Sequence, residues 1–218
     1  MRKKSIQSRN VKSKSRKILP PNYLIVCEGK ETEPKYINGL KEAIQQKCKN
    51  SVDIFIPKIE VKGTGLNTNT LVEHTAKYVN QSTKIYAKVF IMFDKNNYTD
   101  KQFDTAIKSC KENLIAIWSN PCIEVFLLAH FTPVNRTMTT KQAQKELDKA
   151  LKREYGMNYQ KNYENIYQLC TNNKRLDEII NNCCNMEDFN PDLSFSKQNP
   201  MTKAYIILEE FKPYLEEK

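Results

Sequence analysis

Hydrophobic residues in the first 131 positions recur in short runs that predict four strands separated by helices. The first, third and fourth runs are largely continuous, as in strands buried on both faces, and the second consists of short alternating pieces. The predicted strands span Asn22–Cys27, 53–61, 86–93 and 114–118. Between them, apolar residues fall three and four positions apart, which is the spacing of an amphipathic helix. This alternation predicts an α/β fold with a mostly parallel four-stranded sheet flanked by helices.

Beyond Thr132 the pattern predicts helices alone. Thr140–Tyr155 has the spacing of a charged amphipathic helix, with four small or apolar positions facing inward. Those four positions are Ala143, Leu147, Ala150 and Leu151. Further helices are predicted at 162–169 and 173–183, and a terminal helix is predicted to begin at Asn199-Pro200. The predicted organisation is an N-terminal arm (1–20), an α/β core (21–131) and a C-terminal helical extension that packs on the core (132–218).

Positive charge is concentrated at the N-terminus. The formal net charge of the 218 residues is +10, and the first 17 residues carry eight basic side chains and no acidic one, which leaves +2 for the rest. The eight are Arg2, Lys3, Lys4, Arg9, Lys12, Lys14, Arg16 and Lys17. Such an arm is typically disordered and binds nucleic acid through phosphate contacts without reading its sequence. A solubilising, low-complexity leader is an equal alternative.

The composition argues against membrane, disulfide and zinc proteins. No apolar run approaches the roughly 18 residues needed to cross a bilayer, and no signal peptide is evident, so a cytoplasmic location is predicted. The seven cysteines are scattered and form no C-x-x-C pair, which predicts reduced cysteines in the core. The two histidines, His74 and His130, lack metal-ligand spacing and are interpreted as structural.

Two acidic side chains follow predicted strands at the point where each strand ends. Glu28 comes after the first strand and precedes Gly29, which permits a sharp turn, and Asp94 ends the third strand. Open parallel sheets bind ligands outside the carboxyl ends of their strands, so these two carboxylates are expected to meet there and to hold a divalent metal ion. Taken singly, each is also explained as a solvated loop residue or a helix cap.

Additional oxygen ligands lie close to these two residues in sequence. Glu33 makes the turn after Glu28 strongly acidic, which costs repulsion unless a cation offsets it. Asn96 lies two positions after Asp94, and in an extended or loop backbone both side chains are expected to face the same side, so that both can bind one ion. Oxygen-only ligands favour Mg²⁺ or Mn²⁺. The Gly63-Thr64-Gly65 loop is not expected to bind phosphate, because no Lys-Ser/Thr follows it.

Glu124 is the one charged residue in the apolar segment from Cys122 to Phe131. A carboxylate in so apolar a segment is expected to be paired or to coordinate a metal ion. The alternative is a first-turn glutamate at a partly exposed position, stabilised by the helix dipole.

Three segments in this order resemble the RloB family, a bacterial group associated with phage defence and also met as the second component of an AbiL-type abortive-infection pair. They read IVCEGKETEPKYINGL, VFIMFDKNN and SNPCIEVFLLAHF, and the resemblance extends weakly through YQKNYENIYQL and NPMTKAYIILEEF. The resemblance implies a Toprim-type fold and a Mg²⁺-dependent nuclease. It further implies a partner ATPase of the SMC-like or AAA type.

The resemblance also implies roles for individual residues. Glu28 matches the glutamate of the first Toprim motif, and Asp94 matches the first aspartate of its D-x-D motif. Glu33 resembles the second acid of related nucleases at a spacing one residue longer, and Glu124 resembles their later metal-binding glutamate. Asn96 replaces the second aspartate of the motif, which puts a full two-metal mechanism in doubt. Lys161 is a candidate for stabilising the transition state, its alternative being a solvated helix lysine.

The function predicted from the sequence is a metal-dependent nuclease that acts in antiviral defence. Its catalytic residues are predicted to be Glu28, Asp94, Glu124 and Lys161. The alternative is a noncatalytic Toprim-like module that binds nucleic acid or a partner protein, and a nucleotidyl transferase or topoisomerase-like activity is a weaker third reading. The sequence leaves open whether the substrate is DNA, a tRNA or another RNA, and whether the protein is a homo-oligomer.

Overall fold

The structure, a computed structural model, describes residues 20–49, 56–96, 98–172 and 174–216. The basic arm and the beginning of the predicted second strand lie outside these residues. The sheet contains β1 (Asn22–Cys27), β2 (Lys58–Gly63), β3 (Lys88–Asp94), β4 (Leu114–Asn120) and β5 (Met201–Thr202). The helices are α1 (Thr32–Cys48), α2 (Thr68–Gln81), α3 (Asp100–Ser109), α4 (Glu124–Ala129), α5 (Thr140–Tyr155), α6 (Ile166–Thr171), α7 (Leu176–Phe189) and α8 (Tyr205–Leu215). A 3₁₀ turn spans Phe195–Lys197.

The strands are arranged in the order β2-β1-β3-β4-β5. The first four are parallel, and β5 pairs antiparallel with the end of β4. The predicted α/β fold with a mostly parallel sheet is therefore confirmed. The predicted strand count of four is wrong, because the segment after position 132 contributes a fifth strand.

The fifth strand is only two residues long, which is too short to produce a period of alternating hydrophobicity. Ser119 and Asn120 of β4 pair with Thr202 and Met201, and the Ser119 and Thr202 hydroxyls lie 2.9 Å apart. The terminal helix consequently begins at Tyr205 instead of at the Asn-Pro pair. By contrast, α5 has the predicted bounds and the four predicted buried positions.

Apolar side chains of β1 and β3 fill the centre of the sheet, where Leu24, Ile25, Phe90 and Ile91 are inaccessible to solvent. Helix α1 packs with α6 and α8, whereas α2 packs with α3. Parallel strands are connected by right-handed crossovers, so α1 covers one face of the sheet and α2 with α3 covers the other. No helix in the described part of the chain is both long and apolar enough to cross a lipid bilayer.

Five of the seven cysteines are buried, whereas Cys110 and Cys184 are partly buried, and of the two histidines only His130 lies in the core. All seven cysteines lie in the described residues and all are free thiols. His130 is buried, with Nδ1 2.9 Å from the carbonyl of Phe126 and Nε2 2.8 Å from the hydroxyl of Tyr36. Nδ1–H therefore donates to the carbonyl and Nε2 accepts from the phenol, which suits a neutral ring. Burial lowers the pKa of His130 to about 4. His74 is exposed on α2.

Candidate metal centre

The two strands that end in acidic residues flank the point where the chain connections diverge. The connection from β1 leads through α1 to β2 at one edge, and the connection from β3 leads through α3 to β4 in the opposite direction. Such a topological switch point opens a crevice at the carboxyl ends of the strands. Glu28 directly follows β1, and Asp94 is the last residue of β3. The backbone N–H of Asp94 donates to Glu28 Oε2 at 3.2 Å, so the two residues lie side by side at this edge of the sheet.

Glu28 is oriented by neutral donors. Its Oε1 accepts a hydrogen bond from the Tyr98 hydroxyl, and its Oε2 accepts the Asp94 amide. Burial raises the pKa of the Glu28 carboxyl, and the hydrogen bonds from Tyr98 and the Asp94 amide, with the nearby Thr68 hydroxyl, oppose that rise without cancelling it. Thr68 is fully buried, and its hydroxyl oxygen lies within hydrogen-bonding distance of no partner among the described residues. In the part of the chain that the structure describes, Glu28 therefore has no cationic partner.

Glu33 lies in the first turn of α1 and folds back over Gly29. Its side chain is buried, and a Cβ atom at Gly29 would lie 2.5 Å from Glu33 Oε2. The absence of a side chain at position 29 therefore makes room for the carboxylate. Burial raises the pKa of Glu33, and the negative charges of Glu124 and Glu28 raise it further.

We expect Gly29→Ala to destabilise the protein by about 1 kcal/mol, the low end of the usual cost of inserting a methyl group into a filled space, because the added atom meets only the end of a flexible side chain. Because the clash is with the carboxylate of Glu33, the cost should largely disappear in a Glu33→Ala background. Urea unfolding of the two single variants and the double variant measures this coupling. An equal cost of Gly29→Ala in both backgrounds would show that the carboxylate does not occupy this position.

Asp94 is the carboxyl whose environment disfavours ionisation most clearly. Burial raises its pKa well above the usual range, and the charges of Glu33 and Glu124 add to the rise. One hydrogen bond, from the backbone N–H of Ile123, acts in the opposite direction. Nearby carboxylates that raise one another's pKa values in this way are stabilised when a cation binds between them.

Glu124 begins α4 and is 1% exposed, so the partly exposed alternative is wrong. Its Oε1 accepts hydrogen bonds from Gln144 Nε2 at 3.0 Å and from the Tyr159 hydroxyl at 3.2 Å. Lys161 Nζ lies 3.9 Å from the same oxygen. The side chain is therefore paired, as the sequence predicts for a carboxylate in an apolar segment.

Lys161 lies in a turn between α5 and α6, not in a helix. The Thr32 hydroxyl donates to its backbone carbonyl at 2.9 Å, and Lys35 Nζ donates to the carbonyl of Asn162 at 2.9 Å. These two bonds hold the turn against the start of α1. The side chain of Lys161 is 64% exposed, which leaves its ammonium group at the mouth of the crevice.

Asn96 lies in a loop after β3, which is one of the two backbones that the sequence allows after Asp94. Its φ is 27°, in a left-handed turn that asparagine tolerates better than most residues, and its N–H donates to the carbonyl of Pro121 at 2.9 Å. Asn96 is exposed at the edge of the same crevice.

All the predicted site residues of the core line one cavity of about 320 Å³. They are Glu28, Glu33, Asp94, Asn96, Glu124 and Lys161. Counting the whole lining, five carboxylates face two lysines, Lys30 and Lys161. This excess of negative charge, with oxygen atoms as the available ligands, has the chemistry of a Mg²⁺ or Mn²⁺ site. The basic residues of the arm lie outside the described residues.

The carboxylates line one cavity, but their side chains are not arranged around a common point at which an ion could be coordinated. In the described ranges, no three side chains of the Asp, Glu, His and Cys types converge closely enough to ligate one ion. Glu28 and Glu124 are instead hydrogen-bonded to neutral side chains. The donor set and the buried hydroxyl of Thr68 fit a hard cation, and binding would require rotation of these carboxylates away from their present partners.

The neutral residues that orient the carboxylates could not be predicted from the sequence. Tyr98, Gln144 and Tyr159 come from three different segments, and polar residues of these types are common on surfaces. Of the three, only Tyr159 could be associated with the site from the sequence, because it lies two positions before Lys161 in the YQKN element.

The glycine loop beside the cavity supports the turn after β1. The amides of Thr64 and Gly65 donate to the carbonyls of Cys27 and Glu28 at 3.0 and 2.8 Å. Gly65 has a φ of 69°, and a Cβ atom there would lie 2.6 Å from Lys30 Cε. With its amides engaged in this way, the loop does not cradle phosphate, in agreement with the prediction.

A wider cavity of about 750 Å³ lies between α1, α6 and α7. Its lining mixes apolar residues with separate charged ones, such as Lys174, Arg175 and Asp177. Volume therefore does not identify the functional site in this molecule. The switch point is distinguished by its carboxylates.

A protein-family model matches the region of the chain that contains the candidate metal centre. The family model described as RloB-like protein matches residues 23–211. The chain belongs to the RloB-like protein family. No curated protein and no solved structure matches it. The family match includes every core residue of the candidate metal centre and excludes the basic arm.

Proposed function

We propose that this member of the RloB-like family is a metal-dependent nuclease of the Toprim type that hydrolyses phosphodiester bonds in antiviral defence, together with a partner ATPase. The observation that carries the proposal is the pair Glu28 and Asp94 at the switch point, in one cavity with Glu33 and Glu124. The excess of carboxylates over lysines in that cavity favours a cation, and their oxygen atoms favour Mg²⁺ or Mn²⁺.

The chain's own residues divide the work of the site. Glu28, Asp94 and Glu124 are the proposed metal ligands, with Glu33 as a fourth acid and Asn96 as an amide ligand at the edge. Such an ion, when bound, lowers the pKa of an attacking water and polarises the phosphate. Tyr98 orients Glu28, whereas Gln144 and Tyr159 orient Glu124. Lys161 lies at the mouth, where an ammonium group can stabilise the charge that develops on a phosphate.

Cleavage of labelled single-stranded and duplex DNA and RNA by the full-length protein tests this function, with Mn²⁺ or with EDTA, and with and without its ATPase partner. We expect Mn²⁺-dependent cleavage that Glu28→Gln reduces by at least about a hundredfold, as removal of one preorganised electrostatic group does. Glu178→Gln, which removes an exposed carboxylate of α7, is the matched control and should cleave normally. Cleavage that is equal in wild type and Glu28→Gln would contradict the proposal.

A noncatalytic module that binds nucleic acid or a partner is a second candidate function. Two observations favour it: the carboxylates are not already arranged around an ion, and Asn96 takes the place of an acid. The two candidates differ in their response to metal. A thermal transition that does not move in millimolar Mn²⁺, together with no cleavage under any condition, would favour the noncatalytic module.

A further inference from the structure

The outward face of α5 carries an unusual concentration of cations. Lys141, Lys145, Lys152 and Arg153 are exposed, and in the described residues none of them forms an ion pair. At 100° per residue, Lys141, Lys145 and Lys152 project within about 40° of one another, opposite the buried face of the helix. The unpaired charges therefore form one stripe, which we call the α5 stripe (Lys141, Lys145 and Lys152).

The acidic residues near the α5 stripe are already occupied. The Asp148 carboxylate accepts the backbone N–H of Tyr159 at 2.7 Å. Glu146 pairs with Lys149 at 2.9 Å and with Arg136 at 3.2 Å. The neutral N–H of Tyr159 leaves the negative charge of Asp148 in place on the same face of α5, so the stripe keeps its positive excess because three lysines outweigh one carboxylate there.

The stripe leads into the candidate metal centre. A second cavity of about 350 Å³ is lined by Gln144, Lys145, Asp148, Tyr159 and Lys161. Lys161 also lines the carboxylate cavity, and Gln144 donates directly to Glu124. One edge of the second cavity is therefore the α5 stripe, and the other edge opens onto the carboxylates.

We infer that this path is the track of a nucleic-acid strand, whose backbone phosphates lie along the α5 stripe and pass between Lys145 and Lys161 to reach the carboxylates. The inference names the substrate path of the proposed nuclease and rests on that function. From Lys141 to Lys152 the stripe is about 17 Å long, enough for about five phosphates at 3.4 Å per residue of one strand. Tyr159, in the floor of the second cavity, adds an aromatic surface beside the track.

The charge complementarity specifies the partner. A row of unpaired ammonium groups binds phosphates by releasing counterions, and it does so without reading the base sequence. The carboxylate cavity at the end of the row repels an anion, so strand binding and metal binding are expected to reinforce each other. The α5 stripe contains no residue of the basic arm. It would bind the strand next to the candidate metal centre.

The test compares two triple variants of the full chain that each remove three positive charges. Lys141→Gln/Lys145→Gln/Lys152→Gln removes the α5 stripe. Lys101→Gln/Lys108→Gln/Lys111→Gln is the matched control, since these lysines are exposed on α3 and in the turn that follows it. Binding of a fluorescein-labelled single-stranded oligonucleotide is measured by anisotropy in EDTA over a series of salt concentrations. The shift of the thermal transition in Mn²⁺ is recorded on the same samples.

We expect the stripe variant to bind more weakly and its salt dependence, the slope of log K against log salt, to shrink by about 2, at roughly 0.7 per lost contact. The control should keep the wild-type slope. Equal slopes in all three proteins, or an equal loss in the control, would overturn the track. The Mn²⁺ shift separates the two proposals: its absence from the wild type counts against the proposed metal centre, whereas unchanged strand binding in the stripe variant counts against the track.

Discussion

Asp94→Asn should abolish Mn²⁺-dependent cleavage while making the metal-free protein more stable. Asp94 is half-buried at the end of β3, and burial of its carboxyl together with the charges of Glu33 and Glu124 disfavours its ionised form. An amide of the same shape removes that repulsion, and stabilising substitutions at functional sites commonly gain about 0.5–2 kcal/mol. The same change removes a proposed metal ligand, so we expect activity to fall by at least about a hundredfold.

Thermal unfolding in EDTA and a cleavage assay measure the two effects on the same preparation. For a chain of this size, 1 kcal/mol corresponds to a shift of about 2–4 °C in the transition midpoint. Asp188→Asn is the matched control, because Asp188 is exposed on α7 and far along the chain from the site. It should change neither property. A variant at position 94 that loses activity and also loses stability would indicate a structural role for the carboxylate.

The stability difference between Asp94→Asn and the wild type should depend on pH. The folded-state pKa of Asp94 is raised above its unfolded value, so the folded state binds the proton more tightly. Stability from this group is therefore fully present below the unfolded pKa of about 4 and is lost as the pH rises through the folded pKa. The amide variant does not titrate, and its advantage in EDTA should grow from near zero at about pH 4 to its full size once the pH exceeds the folded-state pKa of Asp94.

Measuring a difference removes the contributions of other groups. His130 has a folded pKa lowered to about 4, so its contribution is present above its unfolded pKa and is lost on acidification. The pKa of Glu60 is lowered to about 2, and its hydrogen-bond partners are the same in both proteins, so its contribution cancels in the difference. Saturating Mn²⁺ should reverse the sign of the difference, because it stabilises only the protein that binds it, by about 2.7 kcal/mol at a hundred times the dissociation constant. A pH-independent difference would contradict the coupled carboxylates.

The fold was predictable where its elements are long and regular. β1, β3 and α5 have strong apolar patterns, and Glu28 and Asp94 could be placed at strand ends for that reason. The order of the strands could not be derived, because several orders satisfy the same alternation of strands and helices. It is this order that makes the ends of β1 and β3 the switch point. The two residues of β5 were too few to show a period.

The charged residues of the site could be predicted from the sequence, but the neutral residues that hold them in place could not. A carboxylate in an apolar segment is an unusual observation, so Glu124 could be recognised as paired or coordinating. The residues that hold it, Gln144 and Tyr159, are ordinary polar residues that only the packing of α4 against α5 and the following turn brings within reach. The backbone at Asn96 could not be derived, because the sequence allowed either an extended or a loop conformation after Asp94.

Titration of the full-length protein with Mn²⁺, followed by calorimetry, tests the metal centre most directly. With an amide at position 96, we expect one tightly bound ion per chain. Binding should be strongly weakened in each of Glu28→Gln, Asp94→Asn and Glu124→Gln. The proposed metal centre would be contradicted if the wild type bound no Mn²⁺, or if binding were unchanged in all three variants.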